Sequence, residues 1–296
     1  MPLWRQFVLS LYYHGTYPQR CWRNARLRAG GKSPVMVLFY HRIADYHPND
    51  WTASNRMFAR QMRWLRRHFD MVSLTEAQRR VRLGYNDRPC VSITFDDGYA
   101  DNCRQALPLL IEERIPCTYF VSTRYVLEGL PFPHDVARGC PLEPNSPQQI
   151  RELARAGIEI GAHTRTHLDL GCTSDRDVLF DELVGARREL QAMTDTEIRY
   201  FAFPYGQHAN LNPRAFEIAR EVGYEAVCSA YGGFNFPGDD PFHLQRIHVD
   251  DDLIRLKNWT TVDPRKLRAI KPYDYRKAAA DSSNTKTLAE AAGVCL

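Results

Sequence analysis

The sequence predicts an α/β fold, a single-domain incomplete (β/α)7 barrel. Three observations carry this. Seven short apolar runs rich in β-branched and aromatic residues recur along the chain: Val35–Tyr40, Cys90–Phe95, Cys117–Val121, Ile158–Ala162, Tyr200–Phe203, Ala226–Ser229 and Leu244–Val249. Helix-like segments fill the gaps between them, as parallel strands require. No glycine-rich dinucleotide fingerprint follows the first strand, which disfavours a doubly wound sheet.

The segments divide the chain into residues 1–33, 34–260 and 261–296. Residues 1–33 read as a basic helical segment. Trp4, Phe7, Val8, Leu11 and Tyr12 recur at i, i+3, i+4, i+7 and i+8, one helical face. Such a stripe is expected to pack against the barrel. Attachment to an anionic membrane surface is the second reading.

Within the barrel, Ser54–Phe69 repeats Phe58, Met62 and Leu65 on one face, with arginines opposite. Asn102–Arg114 opens on an Asn cap and stops before Pro116; Ser146–Ala156, Ser174–Met193 and Asn212–Val222 each open on a capping residue. Leu130–Pro147 reads as a long Pro- and Gly-containing loop contacting substrate, with His134 and Asp135 near the site. The tail, 261–296, turns polar from Lys271, with one short helical turn expected at Leu288–Ala292 and mobility elsewhere.

Chemistry concentrates at strand ends. The run Thr94-Phe95-Asp96-Asp97-Gly98-Tyr99 ends a strand on two carboxylates and a glycine that permits a sharp bend. One acid can then ligate a metal while the other acts as a base. His163-Thr164-Arg165-Thr166-His167 follows another strand and spaces two imidazoles at i and i+4, expected on one face of a helical turn. Two His and one Asp make an open three-ligand site. A third run, Arg199-Tyr200-Phe201-Ala202-Phe203-Pro204-Tyr205-Gly206, reads as a strand opened by a permanent cation and closed by a turn. All three lie at the strand termini where barrel enzymes keep their sites.

These motifs, in this order, resemble the polysaccharide deacetylase family, whose members include chitin-oligosaccharide and peptidoglycan deacetylases. The resemblance spans roughly Pro34 to Leu256, and Val37–Ile43 looks like the first barrel strand of one family branch. It implies a metal-dependent hydrolase removing N-acetyl groups from amino sugars of an oligo- or polysaccharide or glycoconjugate. Asp96 would be the base, with Asp97, His163 and His167 holding a divalent ion, zinc most often. Arg199 would orient Asp96 and keep it ionised, and the Tyr205 N–H would stabilise the oxyanion. Such an ion acidifies water and polarises the amide carbonyl. Two features depart from the family. Cys228–Asn235 lacks the Asp-Trp pair of its fourth motif. The general acid of the fifth motif would be His248, in an imperfect context, with His41 its competitor. The alternatives are a deformylase or other linear-amide hydrolase on the same scaffold, and a non-catalytic carbohydrate-binding descendant.

Composition narrows the partners. Residues 1–34 hold six of the 39 Lys and Arg and none of the 35 acids. No nucleic-acid motif accompanies that basicity. Eight scattered cysteines form no CxxC pair and read as reduced thiols. Phe7–Tyr13 is a short apolar run with no cleavage site after it, so a cytoplasmic chain is expected, with membrane-peripheral attachment the second reading.

Overall fold

The last strand fixes the shape of the sheet, because it bends at Gln245 and pairs on two sides. His243–Leu244 pairs parallel with Val227–Cys228, whereas Arg246–His248 pairs parallel with Val37–Phe39. Between these edges run the strands Ala226–Cys228, Tyr200–Ala202, Glu159–Ala162, Cys117–Val121, Cys90–Phe95 and Val35–Tyr40, each beside the next and all parallel. The sheet thereby returns on itself as a barrel of the expected (β/α)7 kind. The computed structural model describes residues 3–269 and 271–280.

Alternation along the strands sorts the core. Met36, Leu38 and Tyr40 point to the surrounding helices, whereas Val35 and Val37 join Phe120, Tyr200, Ala202, Cys228 and Leu244 in a second cluster inside the sheet. The helix Leu74–Arg82 contributes Leu74, Ala77 and Val81 to that inner cluster. Gly161 is required by the filling: a Cβ there would lie 2.4 Å from the Phe120 ring. Short strands at Arg42–Ile43, Thr52–Ala53 and Asp70–Met71 lie between the expected elements.

The helices begin where capping residues stand. Ser54 Oγ accepts from Met57 N at 3.3 Å, and Ser146 forms a capping box with Gln149. The segment expected as one helix over 174–193 contains a π-turn at Asp181–Gly185. The expected loop over 130–147 holds a short helix, Pro133–Ala137.

Both ends of the chain depart from expectation. Leu3–Ala29 is one helix, but Trp4, Phe7, Val8 and Leu11 face solvent, and Tyr12 alone of the stripe turns inward. Its packing face instead combines Tyr13 with polar groups. Arg20 is buried, donating to Asn258 O at 2.8 Å and Asn258 Oδ1 at 2.7 Å. A fully bonded guanidinium can be buried, so hydrophobicity alone did not identify the packed side. At the other end, Tyr275 stacks on Phe216 with centroids 4.3 Å apart, so the barrel keeps its contacts beyond residue 260. Leu288–Ala292 lies outside the described residues.

Candidate active site

Asp96 and Asp97 follow the strand Cys90–Phe95, and the strand's parallel register delivers them to the C-terminal rim. The Asp96 N–H donates to Tyr40 O at 2.9 Å, which ends the ladder. At Asp97 the backbone turns left-handed (φ 74°), followed by Gly98 (φ 99°). A left-handed non-glycine residue is strained, on the order of 1–3 kcal/mol, and is kept only where its surroundings dictate it. Three further site residues share this conformation: Thr164 (φ 63°), His167 (φ 58°) and Tyr205 (φ 59°).

His163 and His167 converge on Asp97, but not on a helix. The segment is a loop held from behind by buried Glu182, whose carboxylate accepts from Arg165 N and Thr166 N, both at 2.9 Å, and from Thr166 Oγ1 at 2.6 Å. Glu182 belongs to the π-turn, which interrupts the helix opposite the histidine loop. The expected helical face is thus replaced by a loop whose part-buried N–H groups a carboxylate satisfies.

The donor atoms fit a divalent ion. Asp97 Oδ1 lies 3.5 Å from His163 Nε2 and 3.2 Å from His167 Nε2, and the three ligand atoms fall within 4.8 Å of one another. Asp97 Oδ1 is buried without a hydrogen-bond partner. His163 Nδ1 donates to Ala202 O at 2.8 Å, leaving its Nε2 lone pair free to ligate. Burial pushes Asp97 up, yet the two imidazoles beside it hold its carboxyl well below the usual carboxylate range. This arrangement matches the two-His, one-carboxylate donor set of zinc and other transition ions.

Asp96 is held by Arg246, not Arg199. The Arg246 guanidinium grips both carboxylate oxygens at 2.6 and 2.8 Å, donates to Ser229 O at 3.0 Å, and lies 4.6 Å from the Phe39 ring centroid. Burial raises the Asp96 pKa, but the Arg246 charge outweighs it and keeps the carboxyl below its ordinary value. Arg199 precedes its strand, so it stands at the opposite rim, pairing with Glu159 and Glu225. The residues closing a parallel strand and those opening it lie at opposite ends of the barrel, and no side chain bridges that length.

The pocket encloses about 260 Å³ and is lined by Asp96, Asp97, His163, His167 and Tyr205, with His41 and Trp51 among the wall residues. His41 is half-buried, its buried Nδ1 has no hydrogen-bond partner, and desolvation lowers its pKa to about 4. His248 stands behind it, ring centroids 5.4 Å apart, with Nδ1 3.3 Å from Asp250 Oδ1. Two wall residues come from segments that the strand-end motifs do not include. Trp51 lies between two short strands, with the Arg138 guanidinium 4.2 Å from its ring centroid. From the 130–147 segment, His134 lines the pocket, whereas Asp135 is buried and accepts from Tyr99 OH at 2.8 Å. Asp135 is therefore committed to the fold.

Comparison with known proteins agrees with the motifs. The polysaccharide deacetylase family model matches residues 84–227. YxkH of Bacillus subtilis (strain 168) is 25% identical over 230 residues, 76% of this chain and 75% of its own. A chitooligosaccharide deacetylase of Sinorhizobium fredii (strain NBRC 101917 / NGR234) is 32% identical over 119 residues, and the match spans 40% of this chain and about half, 47%, of that relative. Among solved structures, IcaB from Ammonifex degensii superposes with a TM-score of 0.63 at 26% identity, covering 77% of this chain and 97% of IcaB.

Proposed function

The chain belongs to the polysaccharide deacetylase family, and from that premise we propose that it hydrolyses the N-acetyl groups of amino sugars in an oligo- or polysaccharide, with a divalent ion, zinc first among candidates, held by Asp97, His163 and His167. One observation carries the reading: a second carboxylate, Asp96, stands beside that donor set and is kept ionised by Arg246 without being consumed as a ligand. A binding protein has no use for a spare buried base. When bound, the ion supplies Lewis acidity to the amide carbonyl and to water.

The chain's own groups divide the remaining work. Asp96 accepts a proton from the attacking water, with Arg246 fixing its orientation. Tyr205 lines the pocket with a left-handed backbone, which supports assigning its backbone N–H to the developing oxyanion. Of the two candidate acids, His41 and not His248 lines the pocket, and it passes a proton to the leaving nitrogen as the C–N bond breaks. Trp51 offers an aromatic face to a sugar ring.

The test is acetate release from N-acetylated sugars, monomer to oligomer, using native, metal-stripped and zinc-restored protein. Zinc-dependent release that Asp96→Asn abolishes, with metal still bound, supports the reading. Release of formate from an N-formyl substrate and no acetate would replace it with a deformylase. Zinc binding with neither product would sink the enzymatic reading.

A further inference from the structure

The N-terminal helix exposes an apolar face that the barrel does not use. One side of Leu3–Ala29 is anchored: Tyr12 OH donates to Asp263 Oδ1 at 2.7 Å, Arg20 bonds Asn258, and Asn24 Nδ2 donates to Thr261 O at 3.3 Å. A helix advances about 100° per residue. Trp4, Phe7, Leu11 and Trp22 therefore fall opposite those anchors, and they are 63%, 64%, 59% and 60% exposed. Val8 lies beside them, also exposed. A contiguous apolar stripe turned outward marks an interaction surface.

We propose that this face lies in the interface of an anionic phospholipid bilayer. Charge complementarity selects that occupant. Residues 1–34 contain no acid; besides buried Arg20 they carry Arg5, Arg23, Arg26, Arg28 and Lys32. Each outward indole has a cation beside it: Arg5 is 5.3 Å from the Trp4 ring centroid and Arg26 is 5.0 Å from that of Trp22. Aromatic rings next to basic groups suit the headgroup level, where the ring enters and the cation meets phosphate. Positive charge continues onto the adjoining helix Pro264–Ala269, whose Arg265 lies 3.7 Å from the Tyr12 ring centroid. No helix among the described residues is long and apolar enough to cross a membrane, so this one lies in the plane. A second copy of the chain is the poorer occupant, because mating two such faces would oppose arginine to arginine.

Vesicle flotation of the full chain tests this independently of any deacetylase activity. Vesicles of phosphatidylcholine with roughly one third phosphatidylglycerol should retain the protein at low salt and release it as salt rises, whereas phosphatidylcholine alone should bind weakly. Trp4→Ala/Phe7→Ala/Leu11→Ala should lower the partition coefficient by about 100-fold or more. Arg5→Gln/Arg26→Gln/Arg28→Gln should remove the preference for anionic vesicles. These side chains face solvent, so both variants should melt as the parent does. No flotation at low salt, or flotation unchanged in both variants, overturns the proposal. So does a parent that is dimeric by light scattering and made monomeric by the apolar substitutions.

Discussion

Arg246 reaches across the inside of the barrel to hold Asp96 by two parallel hydrogen bonds, at 2.6 and 2.8 Å, with both side chains buried. The two residues come from the last strand and from the turn after Cys90–Phe95, with the strand Val35–Tyr40 between them. A bidentate guanidinium fixes a carboxylate's position as well as its charge, which a single ammonium cannot do.

Arg246→Lys is therefore expected to lower kcat by 100-fold or more with a smaller change in KM, since a misplaced base harms the chemical step. Arg246→Met should also cost about 3–5 kcal/mol of stability, because it strands a buried charge. Arg199→Ala is the contrast: its partners lie at the far rim, so activity should stay within about threefold and stability should change by about 1 kcal/mol. Kinetics and urea denaturation of the three variants check this. Equal losses from Arg199→Ala and Arg246→Lys would return the positioning role to Arg199.

Glu182 bears on the metal site without touching it. Its carboxylate satisfies the two N–H groups that bend the chain between His163 and His167. Glu182→Ala leaves both part-buried donors without a protein partner, each costing about 1 kcal/mol. Zinc affinity should fall about 10- to 100-fold, as with other residues that orient metal ligands. Competition with a chromophoric chelator, alongside circular dichroism to confirm folding, reads this directly. Unchanged affinity would make Glu182 a stabilising residue only.

The strand-end motifs were legible because a local pattern places them: an apolar run followed by Asp96-Asp97-Gly98 or His163 names its own rim. Long-range partners were not. Arg246 looks like any strand arginine until the register of a strand 150 residues from Asp96 is known. The N-terminal stripe shows the same limit from another side. Periodicity groups Trp4, Phe7 and Leu11 on one face, but long-range bonds such as those from buried Arg20 to Asn258 show that the opposite face is packed. In the histidine loop, spacing suggested a helix, while the Glu182 bonds sustain left-handed turns at Thr164 and His167.

His41 and His248 separate by position. His41 lines the pocket, and His248 lies behind it, paired with Asp250. His41→Ala should lower kcat by about 100- to 10,000-fold, the range for removing a positioned proton-transfer group. His248→Ala should cost less than tenfold, through the packing of its ring 5.1 Å from Phe39. Steady-state kinetics on the acetylated substrate decides, and the reverse order would assign the role to His248.

Stability should depend on pH through His243, which is buried, shares a hydrogen bond of 2.9 Å with Ser229 Oγ, and lies outside the catalytic pocket. Burial lowers its pKa from 6.5 to about 4. The unfolded chain thus takes up a proton as pH falls below 6.5, while the folded chain stays neutral at this site until about pH 4. The unfolded state binds more protons in that window, so stability falls on acidification, by about 3 kcal/mol from this residue once pH passes below both values. Above pH 7 the contribution is constant. His243→Gln removes the titrating group and should flatten the stability profile between pH 6.5 and 4 by about that amount, whatever it costs at neutral pH. Urea denaturation of both proteins across the window measures the difference, and parallel profiles would mean that His243 is not neutral in the folded chain.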